Sequence, residues 1–179
     1  MPTEPKPADR LVVFAHGMES GPWGTKIQAL AEVARQQHFA VESPDYRHTQ
    51  DPHARVDQLR ALAPRAQQLV LCGSSMGGYV SAHACEALRP NGLFLLAPAL
   101  YYPGFDEEPS GIPRHSAVVH GWQDDIIPPA SAIRFAQTHQ AELHLVQDSH
   151  RLIDALPLIE QLFGRFLTRL VAGTDAVSP

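Results

Sequence analysis

Apolar positions along the chain gather into short unbroken runs separated by longer mixed stretches. The runs are Leu11-Val12-Val13-Phe14-Ala15, Phe39-Ala40-Val41, Leu69-Val70-Leu71-Cys72, Leu93-Phe94-Leu95-Leu96-Ala97, Ala117-Val118-Val119 and Leu143-His144-Leu145-Val146. A continuous run, rather than strict alternation, is the signature of a strand buried on both faces of a parallel sheet. Six strands are therefore predicted, over 11–15, 39–43, 68–72, 93–97, 116–120 and 143–146. The stretches between them carry helical spacing. Ile27, Leu30, Ala31 and Ala34 share one face of a helix over 25–37, and a shorter helix over 54–62 is stopped by Pro64. Further helices are predicted from Tyr79 to Leu88, over 129–138, and over the final segment, where Ile159, Leu162, Phe163, Phe166, Leu167 and Leu170 keep the most regular 3.6-residue pattern. The segment 98–115 holds four prolines and two glycines and reads as an irregular loop. Residues 1–9, with three prolines, and 172–179 read as flexible tails around one domain spanning 10–171. Strands alternating with helices predict an α/β sandwich with an all-parallel sheet, whose ligand site lies at the carboxyl ends of the strands.

Composition narrows the function classes. The 179 residues suffice for one domain with a real core. A net charge of −5 with no basic patch argues against nucleic acid as a partner. No apolar run approaches the roughly 18 residues of a membrane span, and the first residues lack the apolar stretch of a signal peptide, so a cytoplasmic location is expected. The ten histidines show no Cys/His spacing of a zinc site, and neither metal nor other cofactor is expected. Cys72 and Cys85 fall on a strand end and well up the following helix, too far apart for a bridge, and read as buried thiols.

The strand ends are where chemistry is expected. The third is followed by Gly73-Ser74-Ser75-Met76-Gly77-Gly78, a Gly-x-Ser-x-Gly pattern between strand and helix. A serine at the tip of so sharp a turn needs small residues two positions either side, and it stands at a helix N-terminus, whose free N–H groups suit a developing oxyanion. Ser74 is the competing hydroxyl, but the glycines do not frame it. A nucleophilic serine also needs a base and an acid that orients the base. His16-Gly17-Met18 follows the first strand, Asp124-Asp125 the fifth, and Asp148-Ser149-His150 the sixth. The order along the chain is Ser, Asp, His, with Asp124 and Asp125 both available as the acid.

These segments resemble the small bacterial α/β hydrolases of the serine esterase/thioesterase type, over about residues 10–170. His16-Gly17 resembles the family's oxyanion loop, Gly73-Ser74-Ser75-Met76-Gly77 its nucleophile elbow, and Asp148-Ser149-His150 its histidine loop. His120-Gly121-Trp122-Gln123-Asp124-Asp125-Ile126-Ile127-Pro128 resembles its acid loop, in which the acid stands three residues after the glycine. The resemblance implies a six-stranded sheet in the order 2-1-3-4-5-6 and no cap domain. It further implies Ser75 as nucleophile, His150 as base, Asp124 as acid, and the backbone N–H groups of Met76 and Met18 as oxyanion hole. Gly17, Tyr101 and Tyr102 are expected to line the substrate pocket, the two tyrosines as an acyl wall with Phe105. The implied activity is hydrolysis of small or medium acyl esters, with an acyl thioesterase as the alternative; a catalytically silent binding module is a reading of another class. The expected partner is a small-molecule ester or thioester, and oligomeric state is not legible.

Overall fold

The computed structural model describes residues 8–175. Six strands, β1 Ala8–Ala15, β2 Ala40–Glu42, β3 Ala66–Ser74, β4 Gly92–Leu96, β5 His115–Gly121 and β6 Glu142–Val146, form one parallel sheet in the order β2-β1-β3-β4-β5-β6. Among the described residues four helices stand between strands, α1 Thr25–Gln36, α2 Pro52–Leu62, α3 Met76–Leu88 and α4 Pro129–His139, and a fifth, α5 Leu156–Asp175, follows β6.

The apolar runs explain the three layers. Along a strand, successive side chains point to opposite faces. Leu11, Val13, Leu69, Leu71, Leu93 and Leu95 therefore pack on one side with Val56 and Leu59 of α2, Tyr79 and Val80 of α3, and Ala132 and Phe135 of α4. Val12, Phe14, Val70, Cys72, Phe94 and Leu96 pack on the other with Leu30 and Ala34 of α1 and with Ile159, Phe163 and Leu167 of α5. The sheet has no solvated face in its centre, which is why its strands read as unbroken hydrophobic runs. Cys72 and Cys85 lie on opposite sides of this sheet as free buried thiols.

The expected sheet and its strand order are thus observed. Several element ends differ. β1 begins at Ala8 and α5 continues to Asp175, so both elements run into segments read as tails; residues 1–7 and 176–179 lie outside the described residues. α2 starts at Pro52, because the Asp51 carboxylate accepts the His53 N–H at 3.0 Å and proline tolerates the first helical position. α3 starts at Met76 rather than Tyr79, its first turn running through the glycine pair. The segment 98–114 is irregular, with one isolated bridge between Tyr102 and Phe105, and His115 opens β5. Among the described residues no helix is long and apolar enough to cross a membrane.

Candidate active site

Ser75 sits where β3 gives way to α3, with φ 54° and ψ −119°. That positive φ is a strained conformation for a residue with a side chain. It is held from both sides: the Ser75 N–H donates to Leu96 O at 2.9 Å, and its carbonyl accepts from Ala99 N–H at 3.0 Å. The flanking glycines are demanded by space. A Cβ at Gly73 would lie 2.1 Å from Gly77 O, and one at Gly77 would lie 1.9 Å from Ala15 O. Ser74, by contrast, is the buried last residue of β3.

Three strand-end loops converge on Ser75. His150 Nε2 stands 2.9 Å from Ser75 Oγ, and His150 Nδ1 stands 2.7 Å from Asp124 Oδ2. This pattern requires Nδ1–H to donate to the carboxylate, leaving Nε2 free to accept the serine proton. Asp124 is buried and is the aspartate whose carboxylate meets His150, whereas Asp125 is exposed. The Asp124 carboxylate is saturated: Oδ1 accepts from Ile126 N–H at 2.9 Å and Ile127 N–H at 2.8 Å, and Oδ2 also lies 3.1 Å from His120 Nε2. Burial acts to raise its pKa, but the bonds from His120, His150, Ile127 and Ile126 outweigh that and hold it well below the usual carboxylate range. His120 is fully buried, and its Nε2–H reaches Ile127 O at 2.9 Å, so it clamps the acid loop from below.

The histidine loop is fixed in turn by Asp148, whose Oδ1 accepts from Ser149 N–H at 2.7 Å and Oδ2 from Ala155 N–H at 2.8 Å. Its carbonyl accepts from Gln123 N–H at 3.0 Å and so joins this loop to the acid loop. Asp148 is a scaffold for His150, not a partner of its ring.

The His16-Gly17-Met18 segment is held by two buried groups. His16 Nε2 accepts the Tyr46 N–H at 2.9 Å, and its Nδ1–H donates to Gly17 O at 2.8 Å. Burial, opposed by the bond to Gly17 and aided by the charge of Arg55, lowers the His16 pKa and keeps the ring neutral. The second group, Arg55 of α2, carries no sequence signal of this role. It is wholly buried, donating through Nε to Thr49 O at 2.9 Å and through Nη1 to Gly17 O at 3.1 Å and His16 O at 3.3 Å. Its Nη2 lies 3.5 Å from Met18 O, and the guanidinium sits 5.8 Å from the Tyr46 ring centre. Among the described residues the N–H groups of Met18 and Met76 make no backbone hydrogen bond.

A cleft of ≈ 590 Å³ opens over Ser75 and His150. Gly17, Lys26, Ile27, Ile126, Arg151 and Ile153 are among its walls. Gly17 lies in this lining beside Ser75. Tyr101 and Tyr102, anticipated as an acyl wall, are not in the lining. Their loop folds the other way, over α3 and α4: the Tyr101 hydroxyl donates to Glu108 Oε1 at 2.6 Å, Arg134 covers its ring at 3.8 Å, and Phe105 packs edge-on against Tyr79 at 5.2 Å. Among the described residues no cluster of His, Cys, Asp or Glu is arranged to hold a metal ion.

Comparison with known proteins agrees with this architecture. Residues 11–108 match the model of a family described as Uncharacterised protein family (UPF0227). A Xanthomonas campestris structure described within the alpha/beta hydrolase superfamily is 32% identical, superposes with a TM-score of 0.79, and aligns over 89% of this chain and 99% of its own. A second X. campestris protein, described as an a/b serine hydrolase without lid, is 25% identical over 93% of this chain and 85% of its own, with a TM-score of 0.66. Est1E from Butyrivibrio proteoclasticus shares the fold at a TM-score of 0.75, with 18% identity over 94% of this chain and 90% of its own. No curated protein matches. With half of its length matched by the family model and its sheet shared with these structures, the chain belongs to the UPF0227 family, as a small α/β hydrolase-fold protein without a lid.

Proposed function

We propose that this chain is a serine hydrolase that cleaves carboxylic esters of small or medium acyl groups through an acyl-enzyme. The observation that carries the reading is the unbroken relay from Ser75 Oγ to His150 Nε2 at 2.9 Å and from His150 Nδ1 to Asp124 Oδ2 at 2.7 Å. In this reading His150 Nε2 takes the hydroxyl proton as Oγ attacks the ester carbonyl carbon. The imidazolium, steadied by the Asp124 carboxylate, then hands that proton to the departing alkoxide oxygen. An acyl group remains on Oγ. Water follows the same path in reverse: His150 takes one proton, the hydroxide oxygen bonds the acyl carbon, and Ser75 Oγ leaves with the proton while a carboxylic acid is released.

The oxyanion formed in both steps would be met by the backbone N–H groups of Met76 and Met18. A donor of this kind contributes about 3 kcal/mol, provided it is held in place before the reaction. Arg55 and His16 supply that rigidity for the Met18 side; both act as positioning residues. Small or medium acyl groups suit a cleft of ≈ 590 Å³ with walls of Ile27, Ile126 and Ile153. The lid-less serine hydrolase from X. campestris supports the same reaction class.

The test is hydrolysis of p-nitrophenyl esters from acetate to palmitate, with thioesters of the same acids in parallel, by wild type and Ser75→Ala. Serine-dependent turnover that peaks at short or medium chains is expected. Turnover by folded Ser75→Ala at the wild-type rate refutes the assignment.

A further inference from the structure

The cleft beside Ser75 holds two cations that have no ion-pair partner among the described residues. Lys26 and Arg151 both line it. Among the described residues neither forms an ion pair with a carboxylate. Lys26 Nζ donates to the backbone oxygen of Arg151 at 2.9 Å, and the Arg151 guanidinium is exposed with no side-chain hydrogen bond. The nearby acids are engaged elsewhere: Asp124 with His120 and His150, Asp148 with the N–H groups of Ser149 and Ala155. Asp154 shares a neighbouring shallow cleft with Arg151 without pairing to it, and Glu19, exposed on the nucleophile's cleft, pairs with neither cation.

The position of Lys26 is not one that helix electrostatics favours. Lys26 occupies the first turn of α1, where no acidic residue stands and where the helix dipole already favours anions over cations. Burial, and after it the nearby charge of Arg151, lower the Lys26 pKa against the smaller opposing pull of Asp148 and Asp124. In a chain of net charge −5, acidic side chains are plentiful, yet none closes on this pair within the described residues. With no carboxylate in ion-pairing reach of either cation among the described residues, both keep free N–H donors that a ligand carboxylate can fill. A guanidinium fork matches such a group better than it matches a neutral ester.

Resting on the hydrolase reading, we propose that the preferred substrate is an ester bearing a carboxylate, which Lys26 and Arg151 bind while Ser75 attacks the ester carbonyl. The carboxylate lies on the acyl part or on the leaving alcohol. Arg151 directly follows His150, which delivers the proton to the departing oxygen, so both sides are within the compass of the test.

That test compares matched pairs in one enzyme: p-nitrophenyl adipate, with a free terminal carboxylate, against p-nitrophenyl hexanoate, and para-acetoxybenzoate against its methyl ester. Wild type is expected to favour the anionic member of at least one pair by about tenfold in kcat/KM, the size of one charge-assisted contact. The ratio is expected to fall towards one in Lys26→Met and in Arg151→Gln, and to shrink at high salt in wild type. Because each ratio is taken within one protein, a variant's general loss of activity or folding cancels. Equal rates on both members of both pairs in wild type, or an unchanged ratio in both variants, overturns the carboxylate subsite and leaves the hydrolase reading intact. No Ser75-dependent turnover of the neutral esters overturns the hydrolase reading itself, and the subsite with it.

Discussion

Arg55 holds the loop of His16 and Gly17 by its carbonyls without itself lining the cleft. A buried guanidinium is tolerated here because carbonyl oxygens, rather than a carboxylate, accept its hydrogen bonds. Lysine at this position keeps the charge but cannot reach Thr49 O and the loop carbonyls together. For Arg55→Lys and Arg55→Gln, kcat is expected to fall about 10- to 100-fold with KM nearly unchanged, since a loop displaced by about an ångström costs that much. Kinetics normalised to folded, titrated sites check it; a folded Arg55→Gln with wild-type kcat contradicts the positioning role. Asp124→Asn is the complementary case. Its amide N–H₂ faces His150 Nδ1 and the His120 Nε2–H, opposing the tautomer that accepts the serine proton. A loss of about 10⁴ in kcat is expected with the Ile126 and Ile127 N–H bonds retained by the amide oxygen, and pre-steady-state rates measure it.

At the scale of elements, the site depends on how closely α3 approaches β1. Gly77 makes that contact, and a methyl group there would stand 1.9 Å from Ala15 O. The backbone on both sides is buried sheet and helix, so Gly77→Ala is expected to destabilise by about 3 kcal/mol or more, a fall in Tm on the order of 10 °C. Thermal unfolding followed by circular dichroism tests this; an unchanged Tm contradicts the packing account. The elements themselves were largely legible in the sequence, because strands buried on both faces leave unbroken apolar runs and the final helix repeats Ile159, Phe163, Phe166 and Leu170. The Ser75 loop was legible from its glycines, and the Asp124 and His150 loops from their places after the fifth and sixth strands. What escaped reading depends on contacts far apart in the chain. Arg55 lies in a helix of mixed polarity, where an arginine reads as solvent-facing, and only the path of loop 16–18 buries it. His120 sits inside a strand pattern, its role set by the return of Asp124 four residues later. Tyr101 and Tyr102 were misread because aromatic residues on a loop do not disclose which side of the sheet the loop covers; Glu108, Arg134 and Tyr79 draw them away from the cleft.

At the scale of the whole molecule, the sheet brings three loops to one edge and buried polar groups lock them, and those locks carry a pH dependence. The folded His16 titrates below its ordinary value of 6.5, because burial disfavours the imidazolium. Its contribution to stability is therefore complete above about that value and is lost as pH falls through the lower folded pKa, where protonation of Nε2 breaks the bond from Tyr46 N–H. Wild type is expected to lose stability below about pH 6.5 more steeply than His16→Gln, whose side chain does not titrate; parallel denaturation slopes for the two proteins from pH 7 to 5 would contradict this. The claim on which all else rests is that His150 and Asp124 make Ser75 a nucleophile. Labelling with a fluorophosphonate, followed by peptide mapping, addresses it without knowledge of the substrate. One adduct on Ser75 is predicted, absent in Ser75→Ala and formed at least about 10³-fold more slowly in His150→Ala. Labelling elsewhere, or at the same rate without His150, would contradict the account.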